Sequence, residues 1–311
     1  MKYSFVIPCY YSEKSVSGVV EDIFKAFPTN QYDIEVILVN DGSTDRTRDV
    51  IFGLADNHPE ILSINLAKNV GQDGAVLAGF SRCTGDYVIV LDDDGQNPPM
   101  EAHKLIGKLD EGFDIVWGKY HEKKHSAIRR FESRINDYMA RILIDKPKDI
   151  YLCGYFAIRK YVKDEIMKYH GPFPYMRGLL LRTTTNYTNV YIEHRNREIG
   201  QSTYTFSKLL KLWFNGFTSF SIKPLRISIF VGCIIAIIGF FMILFVIFKT
   251  AIYGIEARGW ASTMSVILFL GGIQLIMIGL VGEYVGRLFL SANNSPQYTI
   301  RETSEDRIEK R

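Results

Sequence analysis

The stretch that decides the fold is VIVLDDDGQNPP, Val88–Pro99, in which an apolar run leads into three adjacent carboxylates. The β-branched run predicts a buried central strand. Neighbouring Asp side chains repel one another, so folding alone does not favour three of them at the end of a strand. They suit a divalent cation that bridges to phosphate oxygens, and a solvated acidic turn is the structural alternative.

Strand patterns and helix patterns alternate through the first part of the chain, which predicts an α/β fold. The predicted strands are Tyr3–Ile7, Ile34–Val39, Ile61–Leu66, Tyr87–Leu91 and Asp114–Trp117, and the predicted helices lie near Glu13–Phe27, Asp45–Ala55, Asp73–Arg82 and Met100–Gly112. Such alternation predicts a mostly parallel sheet that is covered by helices on both faces. In open sheets of this kind the ligand crevice lies beyond the carboxyl ends of the strands.

Three polar clusters fall at such strand ends: Pro8–Tyr10, Asp41–Ser43 and Asp92–Asp94. Turn formation and helix capping account for the residues that follow Asp41. Asp41 itself is placed to accept hydrogen bonds from a nucleobase or a ribose. The chain contains neither G-x-G-x-x-G nor G-x-x-x-x-G-K-[ST], so a metal held by carboxylates is the remaining way to neutralise bound phosphates.

Five motifs occur in the order seen in inverting family-two glycosyltransferases: Val6–Tyr10, Val39–Asp45, Asn69–Gln72, Ala78–Phe80 and Leu91–Pro99. Up to about residue 302 the chain resembles the polyprenyl-phosphate glycosyltransferases of that group. The resemblance implies a GT-A-like fold, a nucleotide-sugar donor and a polyprenyl-phosphate acceptor, either undecaprenyl or dolichyl phosphate. It also implies Mg²⁺ or Mn²⁺ as the cofactor and a product with inverted anomeric configuration.

The same resemblance implies roles for individual residues. The implied donor-binding residues are Pro8, Tyr10, Ser12, Asp41, Asp92, Asp93 and Arg197, and the implied metal ligands are Asp92, Asp94 and Gln96. The implied catalytic residues are Asp94, Arg129 and Arg141, and the implied acceptor-phosphate ligands are Arg129, Arg141, Ser202 and Tyr204. Two positions depart from the family pattern. Tyr11-Ser12 replaces the usual Asn-Glu, and Gly154 replaces an acid that is a proposed base in some relatives.

An arginine-rich stretch, 125–141, reads as a helix. Arginine suits an enzyme that joins two phosphate-bearing substrates, because its planar fork binds phosphate through two hydrogen bonds. A solvated helix face is the structural alternative. The register of the assignment is open, since Arg130 or Arg134 could replace Arg129 and Arg141 as the phosphate ligands.

Two long runs carry no charged residue, Ile227–Phe248 and Trp260–Val281. Each reaches roughly 30 Å as a helix, the thickness of a bilayer's hydrocarbon core, so they predict two membrane spans. The amphipathic pattern before them predicts an interfacial helix. The predicted domains are a catalytic domain at 1–203, an interfacial segment at 204–223, a transmembrane pair at 224–287 and a tail at 288–311.

Charge flanking the two runs predicts their orientation. Lys208, Lys211, Lys223 and Arg226 precede the first run and outnumber Lys249 and Arg258 in the loop between the runs. This bias predicts a protein of the plasma membrane with its catalytic domain and tail in the cytoplasm. Small-residue spacing at Gly282 and Gly286 predicts a helix contact that could join copies of the chain.

Composition excludes several other classes of protein. The net charge of +3 includes no basic patch of the size that nucleic acid requires, and the four cysteines lack CxxC spacing, which argues against a zinc site or a disulfide framework. A processive polysaccharide synthase would carry Gln-x-x-Arg-Trp, and this motif is missing. A catalytically impaired membrane scaffold or lipid-binding homologue remains as the alternative to an active transferase.

Overall fold

The computed structural model describes residues 1–120, 141, 146–195, 223–253, 259–293 and 295–308. Its strands are β1 (Lys2–Cys9), β2 (Asp33–Asn40), β3 (Ile61–Leu66), β4 (Tyr87–Val90), β5 (Ile115–Tyr120), β6 (Phe156–Arg159), β7 (Tyr187–Ile192) and β8 (Ile300–Thr303). Its helices are α1 (Val16–Ala26), α2 (Thr47–Asn57), α3 (Gln72–Phe80), α4 (Ala102–Asp110), α5 (Lys160–Met167), α6 (Met176–Thr183), α7 (Lys223–Tyr253), α8 (Trp260–Ala292) and α9 (Ser304–Ile308).

The strands form a single mixed sheet in the order β7-β5-β6-β4-β1-β2-β3-β8. The four neighbours β4, β1, β2 and β3 are parallel, as the strand–helix alternation predicts. Beyond them, β6 runs antiparallel to both β4 and β5, and β8 runs antiparallel to β3. Four of the seven strand pairings among the described residues are therefore parallel, which confirms the α/β fold class. The antiparallel strands are β6, near one end of the sheet, and β8, at the other end.

Apolar side chains cover both faces of the sheet. On one face Phe5 and Leu38 pack with residues of α1, α2 and α4, whereas on the other Val6 and Ile37 pack with residues of α3, α5 and α6. Successive strand residues point to opposite faces, so an uninterrupted apolar strand can serve both layers at once. The sheet is therefore a rigid middle layer, and its carboxyl-terminal edge lies between two sets of helices.

The carboxyl-terminal part of the chain returns to this sheet. Thr303 pairs with Ile64, and the carboxylate of Glu302 accepts hydrogen bonds from Asn65 (3.0 Å) and from Arg48 (2.6 Å). The Arg48 contact is an ion pair between side chains that are 35% and 24% exposed. The predicted tail thus contributes the last strand of the sheet, β8.

Two long apolar helices, α7 and α8, contain 31 and 33 residues. Within the described part of the chain one helix, at Phe269–Ala292, is long and apolar enough to cross a membrane. The apolar stretch of α7, Ser228–Phe241, is shorter than that, so the prediction of two spans is not confirmed by length and composition. Gly282 and Gly286 are exposed on α8, and association of copies through them stays a prediction.

Candidate active site

The segments that follow β1, β2 and β4 meet at one edge of the sheet. The Tyr10 amide donates a hydrogen bond to Asp93 Oδ2 (3.1 Å), and the Ser12 hydroxyl donates to the same oxygen. The Tyr11 amide donates to Ser43 Oγ (3.1 Å). The convergence of the three predicted polar clusters is therefore confirmed at the level of hydrogen bonds.

Asp41 is almost fully buried, and its carboxylate serves the neighbouring loop. It accepts hydrogen bonds from the amides of Val70 (2.7 Å) and Gly71 (2.9 Å) and from the side-chain amide of Asn69 (3.0 Å). Burial raises the pKa of Asp41, and the two backbone donors oppose that rise. The structure assigns Asp41 to holding the start of α3, whereas contact with a nucleoside stays a prediction.

Asp92 is the most perturbed carboxylate of the acidic run. Burial, followed by the charges of Asp94 and Asp93, raises the pKa of Asp92 to about 6. Its two oxygens accept hydrogen bonds from the side-chain amides of Gln72 (2.7 Å) and Asn97 (3.3 Å). Crowded carboxylates of this kind gain stability from a nearby cation, and the edge carries the negative charge that such a cation would neutralise.

The predicted metal ligands are Asp92, Asp94 and Gln96, and all three side chains offer oxygen atoms. Oxygen donors fit Mg²⁺ and Mn²⁺, and the burial and mutual repulsion that raise the pKa of Asp92 fit a site that gains a cation. Gln96 N–H donates to Asp94 Oδ1 (3.1 Å), which orders the turn between these two residues. Within the described residues, no group of three or more His, Cys, Asp and Glu side chains is placed to hold a metal ion, and cation binding by Asp92, Asp94 and Gln96 stays a prediction.

Arg177, at the start of α6, is a cation at this edge that sequence reasoning missed. Its charge lowers the pKa of Asp92 and of Asp73, two carboxylates whose pKa values burial raises. It also hydrogen-bonds Tyr175 and acts on the phenol of Tyr151. No motif marks Arg177 in the sequence, because it reaches the site only through tertiary packing, in which α6 contacts α5 and shares an apolar cluster with α3.

Asn97 and Tyr120 form a second supporting layer that sequence reasoning also missed. The Tyr120 hydroxyl donates to Asn97 Oδ1 (2.8 Å), while the Asn97 amide reaches Asp92. The rings of Tyr120 and His194 lie 4.2 Å apart. Asn97 follows the acidic run by three residues, so its position in the sequence could have indicated a place at the site. No sequence pattern indicates one for Tyr120.

Gly154 lies against the acidic run. A Cβ atom built at this glycine would lie 3.1 Å from Asp92 Oδ2 and 3.3 Å from Oδ1, closer than ordinary van der Waals contact. The position at which some relatives carry an acid is therefore closely approached here by the carboxylate of Asp92. The structure gives no reason to assign a base at this position.

Two exposed aromatic rings stand beside the edge. Tyr10 and Tyr11 are 42% and 53% exposed, and their ring centroids lie 4.6 Å apart in an edge-to-face arrangement. Tyr11 has φ +57°, a left-handed conformation that is uncommon outside glycine, and its hydroxyl hydrogen-bonds Thr44 Oγ1 (2.8 Å). Strained backbone of this kind occurs most often at functional sites. The two residues that depart from the family pattern, Tyr11 and Ser12, are therefore part of this edge of the sheet.

Only some of the remaining predicted site residues lie within the described part of the chain. Pro8 is buried within β1 opposite Val39. Arg141 is partly buried, and its role stays a prediction. The predicted phosphate ligands that lie outside the described residues are Arg129, Arg197, Ser202 and Tyr204. The described segment 146–195 ends at Arg195, whose amide donates to the Gln96 carbonyl (2.9 Å).

Two family models match the chain. Residues 4–167 match glycosyl transferase family 2, and residues 223–288 match the GtrB C-terminal hairpin. Among solved structures, the chain is similar to the glucosyl-3-phosphoglycerate synthase of Mycobacterium tuberculosis in complex with Mn²⁺, uridine diphosphate and glucosyl-3-phosphoglycerate. That likeness has a TM-score of 0.48 and 19% identity, and covers 70% of this chain and 77% of the other.

Two curated relatives match almost the whole chain. The undecaprenyl-phosphate 4-deoxy-4-formamido-L-arabinose transferase of Proteus mirabilis is 32% identical over 305 residues, which cover 96% of this chain and 93% of the relative. The protein of the same description from Yersinia enterocolitica is 33% identical over 307 residues, with the same coverage. The similarity therefore extends across both the sheet and the two apolar helices.

Proposed function

The chain belongs to glycosyl transferase family 2, and we propose that it transfers a sugar from a nucleotide-sugar donor to a polyprenyl phosphate with inversion at the anomeric carbon. The observation that carries the proposal is its similarity, over 96% of its length, to transferases described as acting on undecaprenyl phosphate. The two apolar helices support a lipid acceptor, because a domain that uses two soluble substrates gains nothing from them.

In this mechanism the acidic edge receives the diphosphate of the donor. Gln72 and Asn97 hold the carboxylate of Asp92, and backbone and hydroxyl donors hold Asp93, so the carboxylates are ordered before the substrate arrives. Arg177 adds a fixed positive charge close to Asp92. A Mg²⁺ or Mn²⁺ ion held by Asp92, Asp94 and Gln96 would supply charge that stabilises the leaving nucleoside diphosphate.

The acceptor supplies the nucleophile. A phosphate oxygen of the lipid attacks the anomeric carbon on the face opposite the diphosphate, so the new carbon–oxygen bond forms as the old one breaks and the configuration inverts. A phosphate monoester is already ionised near neutral pH, so the attack needs no strong base. The close approach of Gly154 and Asp92 agrees with a site that works without an acid at position 154. Arg129, Arg141, Arg197, Ser202 and Tyr204 are the proposed ligands of the substrates' phosphates.

The sheet supports a membrane topology with two crossings. β1 and β8 belong to the same sheet, so the chain between them must cross a bilayer an even number of times. Because α8 carries a candidate span, α7 is proposed as the second, and the pair forms a membrane hairpin. The charge bias around the two helices favours a cytoplasmic sheet and tail.

Sugar transfer is tested with the full-length protein in membranes that contain undecaprenyl phosphate. A panel of radiolabelled nucleotide sugars is supplied, and we expect one of them to pass its label into the lipid fraction. Asp94→Asn should lower that transfer at least a hundredfold, because it removes a charge that the leaving diphosphate and its cation need. The matched control is Asp49→Asn, on an exposed side chain of α2, which should leave transfer unchanged.

Two results would contradict the proposal at different points. Undiminished transfer by Asp94→Asn, with the protein still folded and membrane-bound, would remove the proposed cation site but keep the transferase. Failure of every donor to label lipid would favour the impaired scaffold.

A further inference from the structure

A cavity of about 620 Å³ lies between the sheet domain and the carboxyl-terminal turns of α8. One wall is the loop that follows α5, and the other is a face of α8. The described lining includes Lys168, His170, Phe173, Val285, Arg287 and Leu288. Its volume falls within the range of pockets that hold small ligands.

Hydrogen bonds and stacking fix both walls. The side-chain amide of Gln297 donates to the carbonyls of Tyr169 (2.8 Å) and Gly171 (2.7 Å), which ties the loop to the segment after α8. The guanidinium of Arg287 lies 4.6 Å from the centre of the Phe173 ring and 2.7 Å from Glu283 Oε1. These contacts hold the sheet domain and α8 together around the cavity.

The lining combines positive charge with apolar surface. Lys168 and Arg287 carry positive charge, each beside a carboxylate that does not line the cavity, Glu165 (2.5 Å) and Glu283 (2.7 Å). His170 is a third basic group, and none of the described lining residues carries a carboxylate. Val285, Leu288 and Phe173 supply the apolar part. Such a lining complements a molecule that has an anionic head and a hydrocarbon body, because the two parts of the lining meet the two parts of the ligand.

The position of the cavity selects the kind of molecule. Tyr284, Arg287 and Ser291 belong to the candidate span Phe269–Ala292, at the end that lies against the sheet domain. With α8 in the membrane, as the proposed function requires, this end lies at the headgroup level of the cytoplasmic leaflet, where anionic phospholipids collect beside basic residues. We propose that the cavity binds the phosphate headgroup of an anionic phospholipid and that this lipid clamps the sheet domain to the membrane.

The sugar acceptor is the rival occupant, and the lining argues against it. An acceptor phosphate must reach the donor at the acidic edge, yet none of Asp92, Asp93 and Asp94 contributes to the cavity. A lipid seated among Lys168, His170 and Arg287 is therefore held without reacting. That describes a structural phospholipid rather than a substrate.

The test measures lipid binding by the full-length protein in neutral detergent, using short-chain phosphatidylglycerol and, as the uncharged comparison, phosphatidylcholine. Native mass spectrometry should count one tightly held phosphatidylglycerol and no tightly held phosphatidylcholine. Lys168→Gln and Arg287→Gln should each weaken that binding about fivefold, the equivalent of about 1 kcal/mol for one basic residue near an anionic headgroup. The matched control is Lys108→Gln, because Lys108 also pairs with an acid three residues away on an exposed helix but lies outside the cavity.

The outcomes separate this inference from the proposed function. Equal losses in Lys168→Gln and Lys108→Gln would mean diffuse attraction to the basic surface and would overturn the site. Displacement of phosphatidylglycerol by undecaprenyl phosphate, with a raised acceptor KM for Lys168→Gln in purely phosphatidylcholine vesicles, would assign the cavity to the acceptor and also overturn it. Loss of phosphatidylglycerol binding in Lys168→Gln with sugar transfer retained in those vesicles supports it.

Discussion

At the scale of single residues, the turn after β2 is set by backbone geometry. Gly42 has φ +66°, and a Cβ atom at this position would lie 2.5 Å from the amide nitrogen of Asn69. The side-chain oxygen of Asn40 accepts a hydrogen bond from the Ser43 amide (3.2 Å) and closes the same turn. The glycine thus permits both the left-handed conformation and the close approach that brings Asp41 to the start of α3.

Gly42→Ala should therefore destabilise the sheet domain by about 2 kcal/mol, because it adds a left-handed alanine and a backbone clash. Denaturant unfolding of the detergent-solubilised protein measures the change. Gly53→Ala is the matched control: no atom lies within 4 Å of its added Cβ, and alanine in a helix is favoured over glycine by roughly 0.5–1 kcal/mol. Equal stability of the two variants would mean that the loop at Lys68 and Asn69 moves away from the added Cβ atom with no loss of stability.

The acidic run could be predicted from sequence because its side chains are adjacent in the chain and folding alone does not favour three neighbouring carboxylates at the end of a strand. Arg177 could not, since a lone arginine in a helix has no pattern, and only tertiary packing brings its charge to Asp92. The prediction for Asp41 was incomplete for a related reason. Sequence placed it at the strand end, but the three donors that occupy its carboxylate follow from the fold.

At the scale of elements, the first five strands were predictable because each is a run of apolar residues followed by a helical pattern. The prediction for β3, Ile61–Leu66, coincides with the observed strand, and the others differ from it by at most a few residues at an end. β6, β7 and β8 were not predicted. β6 and β8 have four residues each, too few for a periodic signal, and β8 pairs with a strand more than 200 residues away in sequence. β7 has six residues, most of them only partly buried, so it lacks the apolar run that marks the first five strands.

Glu35 joins three elements through its carboxylate. It receives hydrogen bonds from the Thr84 amide (2.6 Å) and the Ser4 hydroxyl (2.5 Å), and Lys2 forms an ion pair with it (2.6 Å). Burial alone would raise the pKa of Glu35, but contacts from Lys2, Ser4 and Thr84 outweigh it and lower the pKa to about 2. The residue therefore links β2 to the start of β1 and to the turn before β4.

The sign of the pH dependence follows from that lowered pKa. A depressed carboxyl pKa contributes stability above its unfolded value, near pH 4.5, and the contribution is lost as the pH falls toward 2. Glu35→Gln should be less stable than the parent protein by roughly 2 kcal/mol at pH 7, and the gap should narrow between pH 4.5 and 2. Unfolding of both proteins across pH measures it, with Glu21→Gln, on a side chain that is 69% exposed, as the control. A difference in stability that stays constant from pH 7 to pH 2 would contradict the lowered pKa of Glu35.

At the scale of the whole molecule, the sheet links the two ends of the described chain. β8 is held to β3 by strand pairing and to α2 by the contact of Glu302 with Arg48, so the residues after α8 cannot leave the side of the membrane on which the sheet lies. The same tail fixes the loop that lines the phospholipid cavity, through Gln297. In the proposed topology, these contacts would hold the sheet and its acidic edge against the cytoplasmic end of the two helices.

This arrangement predicts which positions face each side of the membrane. In a Cys233→Ala background, whose other three cysteines are buried, single cysteines replace Asp49, Gly259 and Glu305, all exposed positions. In right-side-out vesicles an impermeant maleimide should label only Gly259→Cys, because it lies between α7 and α8 on the far side from the sheet. Permeabilisation should expose the other two together. Labelling of Glu305→Cys from outside while Asp49→Cys stays protected would break the pairing of β8 with β3, and labelling of all three from one side would mean that neither helix crosses the bilayer.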